Sequence, residues 1–294
     1  MSRTQKGNLL LLLTAFIWGS AFVAQSAGIG RLGPWTYNCI KNFLGTFALL
    51  PVISLRGRRQ APLTAPGKKT LWKGGILCGI ILCAASMFQN YGIMYTSVGK
   101  AGFLTTLYVL MVPLFGIFSG HHVRPRLWGC VLITLLGLYF LSVQGSFTLA
   151  RGDTLVLICS LGFTFHILII DCYAPQVDGI QLSCIQFLTA AVLSVPGMIL
   201  ENPGWADIQA AAVPLLYAGL LSNGVAYTLQ IVAQKSADPT MASMIMSMES
   251  VFAALSGWVI LHQTLSAREF LGCGLVFAAI LLAQTPVRET RGES

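Results

Sequence analysis

Long apolar runs separated by short polar breaks extend along the whole chain. A helix of about 20 apolar residues crosses the roughly 30 Å hydrocarbon core of a bilayer, and nine or ten such runs can be marked here. Gly and Pro in the breaks, as in Gly33-Pro34 and Asp238-Pro239, are typical of helix ends. We predict an all-α polytopic membrane protein with ten transmembrane helices, at residues 8–28, 34–55, 71–94, 98–118, 127–143, 153–174, 179–200, 213–233, 240–261 and 266–285.

Composition agrees with lipid as the main solvent. The chain of 294 residues is 55% hydrophobic and only 10% charged, with a mean hydropathy of +0.74, which is too apolar for a soluble fold of this size. The net charge of +8 does not indicate nucleic-acid binding, because the basic residues gather in the breaks between helices. The eight cysteines lie inside apolar runs without CxxC or Cys/His spacing, so we predict no metal or redox site.

The distribution of Lys and Arg between alternate breaks predicts the orientation in the membrane. With the N-terminus in the cytoplasm, 13 basic residues fall on the inside and 4 on the outside, with Lys41 set aside as intramembrane. Both termini are therefore predicted to be cytoplasmic. The four outer residues are Arg31, Lys100, Arg151 and Arg268.

The second half of the chain repeats the first. Three shifts align the halves, and the shift changes only at loops, where insertions are tolerated. The matches are Gly7 with Gly152 and Cys39 with Cys184 at 145, Asn90 with Gln230 and Thr96 with Ser236 at 140, and Gly129 with Gly272 at 143. We predict two five-helix repeats, residues 1–149 and 150–294. Because five is odd, the second repeat must be inverted in the membrane, as in many secondary transporters that bind substrate near the midplane.

Polar side chains that recur at helical spacing mark the inner surface of the bundle, because lipid does not satisfy them. They fall on one face of helix 2, one face of helix 8, helix 1 and the outer half of helix 3. The residues that we select from these faces are Trp18, Asn38, Asn42, Gln89, Asn90, Asn223, Tyr227 and Gln230. Amides in membrane bundles also serve only to join helices, and that alternative stays open for each of them.

Two charges lie deep inside predicted helices. Lys41 is in helix 2 and Glu249 is near the centre of helix 9, and each costs about 2.5–3.5 kcal/mol if unpaired in the membrane. They could form an ion pair with each other for packing, or Lys41 could extend towards the interface. Alternatively, Glu249 carries a coupling proton or meets a cationic group, and Lys41 meets a carboxylate.

No catalytic motif is present. The sequence contains no HExxH, GxSxG or Walker loop and no usefully spaced pair of carboxylates, so we expect neither an enzyme nor an ATP-driven pump. No cofactor or metal is implied.

Several short motifs, in order, resemble the drug/metabolite transporter superfamily, in particular its ten-helix EamA-like exporters. They are Trp18-Gly19-Ser20, Lys41-Asn42-Phe43, Tyr95-Thr96-Ser97 before Lys100-Ala101, Gln234-Lys235, Glu249-Ser250-Val251-Phe252, and the glycines Gly129 and Gly272. The resemblance covers nearly the whole chain. It departs from the family at Lys41, where Arg is more usual, at Ser250, where Pro is usual, and at His121 and Gln263, where glutamate is common.

The resemblance implies outward movement of a small metabolite, often an amino acid or related amphiphile, across a bacterial inner membrane by alternating access. The expected partners are that substrate, the lipid bilayer and, as a further candidate, a coupling proton, with the chain acting as a monomer or homodimer. Our candidate substrate-binding residues are Trp18, Asn38, Lys41, Asn42, Gln89, Asn90, Tyr95, Asn223, Tyr227, Gln230 and Glu249. The alternative is a non-transporting scaffold or receptor, whose interior would be dry and fully hydrogen-bonded.

Overall fold

The computed structural model describes residues 3–57, 64–96, 98–118, 120–121, 123–143, 150–261 and 265–285. All regular secondary structure in these ranges is helical. The α-helices are α1 (Arg3–Ile29), α2 (Pro34–Gly57), α3 (Ala65–Ile93), α4 (Val98–Thr106), α5 (Tyr108–Phe118), α6 (Pro125–Ser142), α7 (Arg151–Tyr173), α8 (Gly179–Glu201), α9 (Trp205–Ala210), α10 (Ala212–Leu216), α11 (Thr228–Gln234), α12 (Pro239–Met246), α13 (Met248–Leu261) and α14 (Ala267–Gln284). A 3₁₀ turn (Ala174–Gln176) follows α7, and a π-helix (Tyr217–Tyr227) joins α10 to α11.

Eight helical stretches of the described chain are long and apolar enough to cross a membrane, and Pro125–Leu141 is a shorter apolar helix. Large apolar side chains cover the outer surface, with Phe118 and Leu200 each 87% exposed. Such a surface is stable against lipid and not against water. The chain is a multi-pass helical membrane protein, as the apolar runs predict.

Three of the predicted membrane helices are not regular. The helix predicted at 98–118 is interrupted at Leu107, and the one at 240–261 is interrupted at Ser247. The hydroxyl of Thr106 bonds to the carbonyl oxygen of Gly102 at 3.0 Å, and that of Ser247 bonds to the carbonyl oxygen of Met244 at 2.7 Å. Hydroxyls that bond back in this way compete with the backbone ladder and bend helices.

The third irregular helix is the one predicted at 213–233, half of which is wound as π-helix. π-Helical turns are rare and are frequent at functional sites. The short helix α9 was not predicted, because six residues without a buried side chain leave no apolar run.

Glycine allows the close helix crossings that shape the centre of the bundle. A Cβ at Gly19 would lie 2.6 Å from the carbonyl oxygen of Glu249 and 2.5 Å from the Cβ of Phe252, so no larger residue fits between α1 and α13. The central glycine of the Trp18-Gly19-Ser20 motif therefore brings α1 against the intramembrane glutamate.

Candidate functional site

A cavity lies at the centre of the bundle. Its wall combines both intramembrane charges, three glutamine side chains, a histidine and several aromatic rings. The cationic and acidic members are Lys41 and Glu249, and the glutamines are Gln25, Gln89 and Gln230. Because the cavity is formed where so many helices meet, its wall includes residues from both halves of the chain.

Glu249 lies in the first turn of α13, directly after the interruption at Ser247, and is 5% exposed. The N-terminal turn of a helix stabilises a carboxylate through its free N–H groups and dipole. The hydroxyl of Tyr108 donates a hydrogen bond of 3.1 Å to Oε1 of Glu249. The helix interruption thus places a carboxylate on the cavity wall, at a helix N-terminus and within reach of the Tyr108 hydroxyl.

Lys41 lies on the same cavity, half-buried, with its Nζ 5.5 Å from the centre of the Tyr37 ring. Neither Lys41 nor Glu249 forms a salt bridge with any residue that the structure describes. The sequence left open an ion pair between Lys41 and Glu249, and the described residues do not form it. The cavity therefore presents one cationic and one acidic group that do not neutralise each other directly.

Amide side chains form a hydrogen-bonded group at one end of the cavity. Nε2 of Gln25 donates to Oε1 of Gln89 at 3.0 Å and to Oδ1 of Asn90 at 2.9 Å. Asn90 in turn donates to the carbonyl oxygen of Pro34, and Gln89 donates to the hydroxyl of Thr105. This network joins α1, α2, α3 and α4 around the cavity.

Aromatic rings form another part of the wall. The ring centres of Trp18 and Tyr227 are 4.6 Å apart, and the ring of His166 meets that of Tyr227 edge to face at 5.7 Å. Trp18 donates through Nε1 to the carbonyl oxygen of Ser222 in the π-helix at 3.4 Å, and Nε2 of His166 lies 3.0 Å from Oε1 of Gln186. Trp18 and His166 are thus each fixed by a polar contact as well as by packing.

The structure brings six of the eleven candidate residues together on this wall. They are Trp18, Lys41, Gln89, Tyr227, Gln230 and Glu249. Within this group, Gln230 is 1% exposed and its Oε1 has no hydrogen-bond partner among the described residues.

The other five candidates lie outside the cavity wall. Asn38 donates to the hydroxyl of Ser194 at 2.9 Å, Asn42 donates to the carbonyl oxygen of Asn38, and Asn223 donates to Oδ1 of Asn42 at 2.9 Å. These three amides join α2 to α8 and to the π-helix, as the helix-joining alternative describes. Asn90 belongs to the amide network next to the cavity.

Tyr95, the fifth, is 55% exposed, with the guanidinium of Arg151 5.9 Å from its ring centre. It lies at the end of α3 and away from the cavity because the chain turns there towards α4.

Five polar wall residues are missing from the candidates selected from the sequence: Gln25, Thr105, Tyr108, His166 and Ser222. Gln25 follows Trp18 by seven residues on one stripe of α1, so its position was visible in the sequence. His166 lies within α7, where the sequence alone does not distinguish an interior histidine from a site residue. Tyr108 lies in a continuous apolar run, and only its contact with Glu249 across the bundle indicates its importance.

The fold and this site define a helical membrane protein with a polar, charged cavity at its centre. The model of the EamA-like transporter family matches the chain twice, over residues 5–143 and 150–285. The chain belongs to this family of transporters, as the motifs of the sequence predict.

Relatives with transporter names match most of the chain. An uncharacterised transporter of Archaeoglobus fulgidus is 27% identical over 282 residues, covering 95% of this chain and 86% of its own. The uncharacterised inner membrane transporter YedA of Escherichia coli K12 is 24% identical, covering 90% and 86%. The threonine/homoserine exporter RhtA of Escherichia coli K12 is 28% identical over 216 residues, covering 68% and 71%.

One solved crystal structure has the same fold. It superposes with a TM-score of 0.79 at 19% sequence identity and covers 95% of this chain and 96% of its own.

Proposed function

We propose that the chain crosses the bacterial inner membrane ten times, with both termini in the cytoplasm, as two inverted five-helix repeats. The helix interruptions support the duplication, because Leu107 and Ser247 are 140 residues apart (247 − 107), the shift that aligns this part of the two halves. The two separate family matches support the same division.

Helix packing has the symmetry that such a repeat requires. If α1 corresponds to α7 and α3 to the stretch from α10 to α11, contacts between α3 and α7 should be matched by contacts of α1 with that stretch, and both occur. The same correspondence relates α2 to α8 and α6 to α14, so each of these two pairs maps onto itself. Both pairs are also extensively packed. In an inverted repeat these self-paired contacts lie on the pseudo-twofold axis.

Within this architecture the protein acts as a secondary carrier, not an enzyme, that moves a small zwitterionic or amphiphilic metabolite outward by alternating access. The observation that carries this proposal is the central cavity with Lys41 and Glu249 on its wall and no salt bridge from either to a described residue. Lys41 is suited to the carboxylate of an amino acid or related compound. Glu249 is suited to its ammonium group or to a coupling proton.

The cavity also argues against the scaffold alternative. A scaffold would close its interior by mutual hydrogen bonds, whereas the buried Oε1 of Gln230, a residue of the cavity wall, has no hydrogen-bond partner among the described residues. Interrupted helices beside the site are a further feature of carriers, because helix ends at the midplane provide polar backbone groups for substrate. Glu249 follows one such interruption.

Counterflow in proteoliposomes tests this function. Vesicles preloaded with one unlabelled amino acid or small amine should accumulate its labelled form, and Lys41→Ala and Glu249→Gln should lower the initial rate by about tenfold or more, since each removes a charge from the site. Lys73→Ala, which removes an exposed lysine at the start of α3, is the matched control. Normal exchange by both cavity variants would refute the assignment of these charges.

A further inference from the structure

A buried carboxylate joins the two halves of the chain at the end of the bundle that is outermost in the proposed orientation. Asp153, in the first turn of α7, is fully buried and accepts hydrogen bonds from the hydroxyl of Thr96 at 2.6 Å and from Nζ of Lys100 at 2.5 Å. The backbone N–H of Ala150 is a third donor, at 2.7 Å. Thr96 and Lys100 belong to the first half and Asp153 to the second, so these bonds tie the halves together.

The backbones of the two halves approach each other closely at both ends of the bundle. A Cβ at Gly152 would lie 2.8 Å from the carbonyl oxygen of Gly92, and a Cβ at its counterpart Gly7 would lie 3.4 Å from the carbonyl oxygen of Ala233. In both places the start of the first helix of one half packs against the last turns of the third helix of the other half.

The polar groups at this second contact are neutral. The shifts of 145 and 140 place Asn8 opposite Asp153, Ser236 opposite Thr96 and Thr240 opposite Lys100. The Oδ1 atom of Asn8 is buried without a hydrogen-bond partner among the described residues. The charged group at the outer contact is thus replaced by neutral side chains at the inner one.

Other unpartnered polar atoms lie towards the same inner end. They include Oε1 of Gln234, Oγ of Ser183 and Nε2 of Gln186. Buried polar atoms in a membrane protein are costly unless water or another group satisfies them. Water entering between α1, α8 and α11 would satisfy these atoms.

We propose that Asp153, Lys100 and Thr96 form a latch of the outer gate. This rests on the proposed function, since a gate requires alternating access between the two repeats. Outward opening must break this charge-assisted contact, which is stronger than a neutral hydrogen bond. The inner end is joined across the halves at other places, by His121 with Asp171 and by Arg126 with the carbonyl oxygen of Thr285.

Side-specific cysteine labelling in intact cells tests the latch. The reporter is Ser222→Cys, on the cavity wall, in a full-length variant whose eight native cysteines are replaced by Ala. Asp153→Asn should raise the rate of labelling by an external, membrane-impermeant maleimide by about tenfold, because the closed outer gate loses its charged contact. Lys100→Met should act in the same direction, and the double variant should add little, because both changes remove the same contact.

Transplanting the latch to the inner end provides an independent test. Asn8→Asp with Thr240→Lys should slow labelling of the same reporter in inside-out vesicles by several-fold. Unchanged external labelling in Asp153→Asn that elutes as a folded, monodisperse protein would overturn the proposal, as would unchanged cytoplasmic labelling in the transplanted variant. Labelling requires no substrate, so a failure of counterflow and a failure of the latch are separate results.

Discussion

Polar side chains inside the bundle fall into two groups with different chemistry. Asn38, Asn42 and Asn223 satisfy one another or a neighbouring helix, and their donors are used. Lys41 and Glu249 face the cavity, with no salt bridge to any residue in the described ranges. The first group adds cohesion between helices, and the second can respond to a molecule that enters the cavity.

The amide pair between α2 and the π-helix gives a prediction for stability. Asn42→Leu or Asn223→Leu alone should lower the free energy of unfolding by about 1–3 kcal/mol, because the remaining amide is buried without its partner. The double variant should recover most of that loss. Unfolding of the detergent-solubilised protein measures the effect, and a double variant as unstable as the sum of the singles would contradict it.

The sequence could identify the two charges but not the role of each amide. A charge inside an apolar helix is costly wherever it points, so Lys41 and Glu249 were evident from position alone. Asn42 lies one residue from Lys41, yet it bonds to Asn38 and Asn223 while Lys41 reaches the cavity. That difference depends on which helix lies opposite, and helical spacing contains no such information.

The sequence predicts where the helices lie better than it predicts where they are interrupted. Lipid cannot form hydrogen bonds with backbone N–H and C=O groups. Each apolar run must therefore be helical over its length, so that the helix satisfies these groups internally. The interruptions at Leu107 and Ser247 were not predicted, because the hydroxyls that bend the chain there lie within runs that remain apolar. The π-helix at 217–227 was missed for a similar reason.

Close helix approach at Gly19 gives a prediction at this scale. Gly19→Ala should destabilise the protein by about 1–3 kcal/mol, because the added methyl overlaps the carbonyl oxygen of Glu249 and the side chain of Phe252. Gly274→Ala, in α14 where no atom lies within 4 Å of the added Cβ, should be neutral or stabilising by up to about 1 kcal/mol. Thermal unfolding in detergent compares the two, and equal melting temperatures would contradict the close-packed crossing.

In the proposed architecture the whole molecule combines two repeats with an unequal distribution of charge. The interruptions, the family matches and the exchange of helix contacts agree between the halves. Glu249 has Val109 at the position that the shift of 140 assigns to it, and Asp153 has Asn8 at the position that the shift of 145 assigns. In our account the repeat provides two related conformations, and the unmatched charges provide the substrate site and the latch of the outer gate.

Substrate competition tests the central claim most directly. Once counterflow has identified an exchanged amino acid, its amide, which lacks the carboxylate, and its N-acetyl form, which lacks the ammonium group, are added as competitors. We predict that each blocked form competes at least about tenfold more weakly than the parent, because each loses one charged contact in the cavity. Competition by both blocked forms as strong as that of the parent, or no exchange of any amino acid or amine tested, would contradict a site built on Lys41 and Glu249.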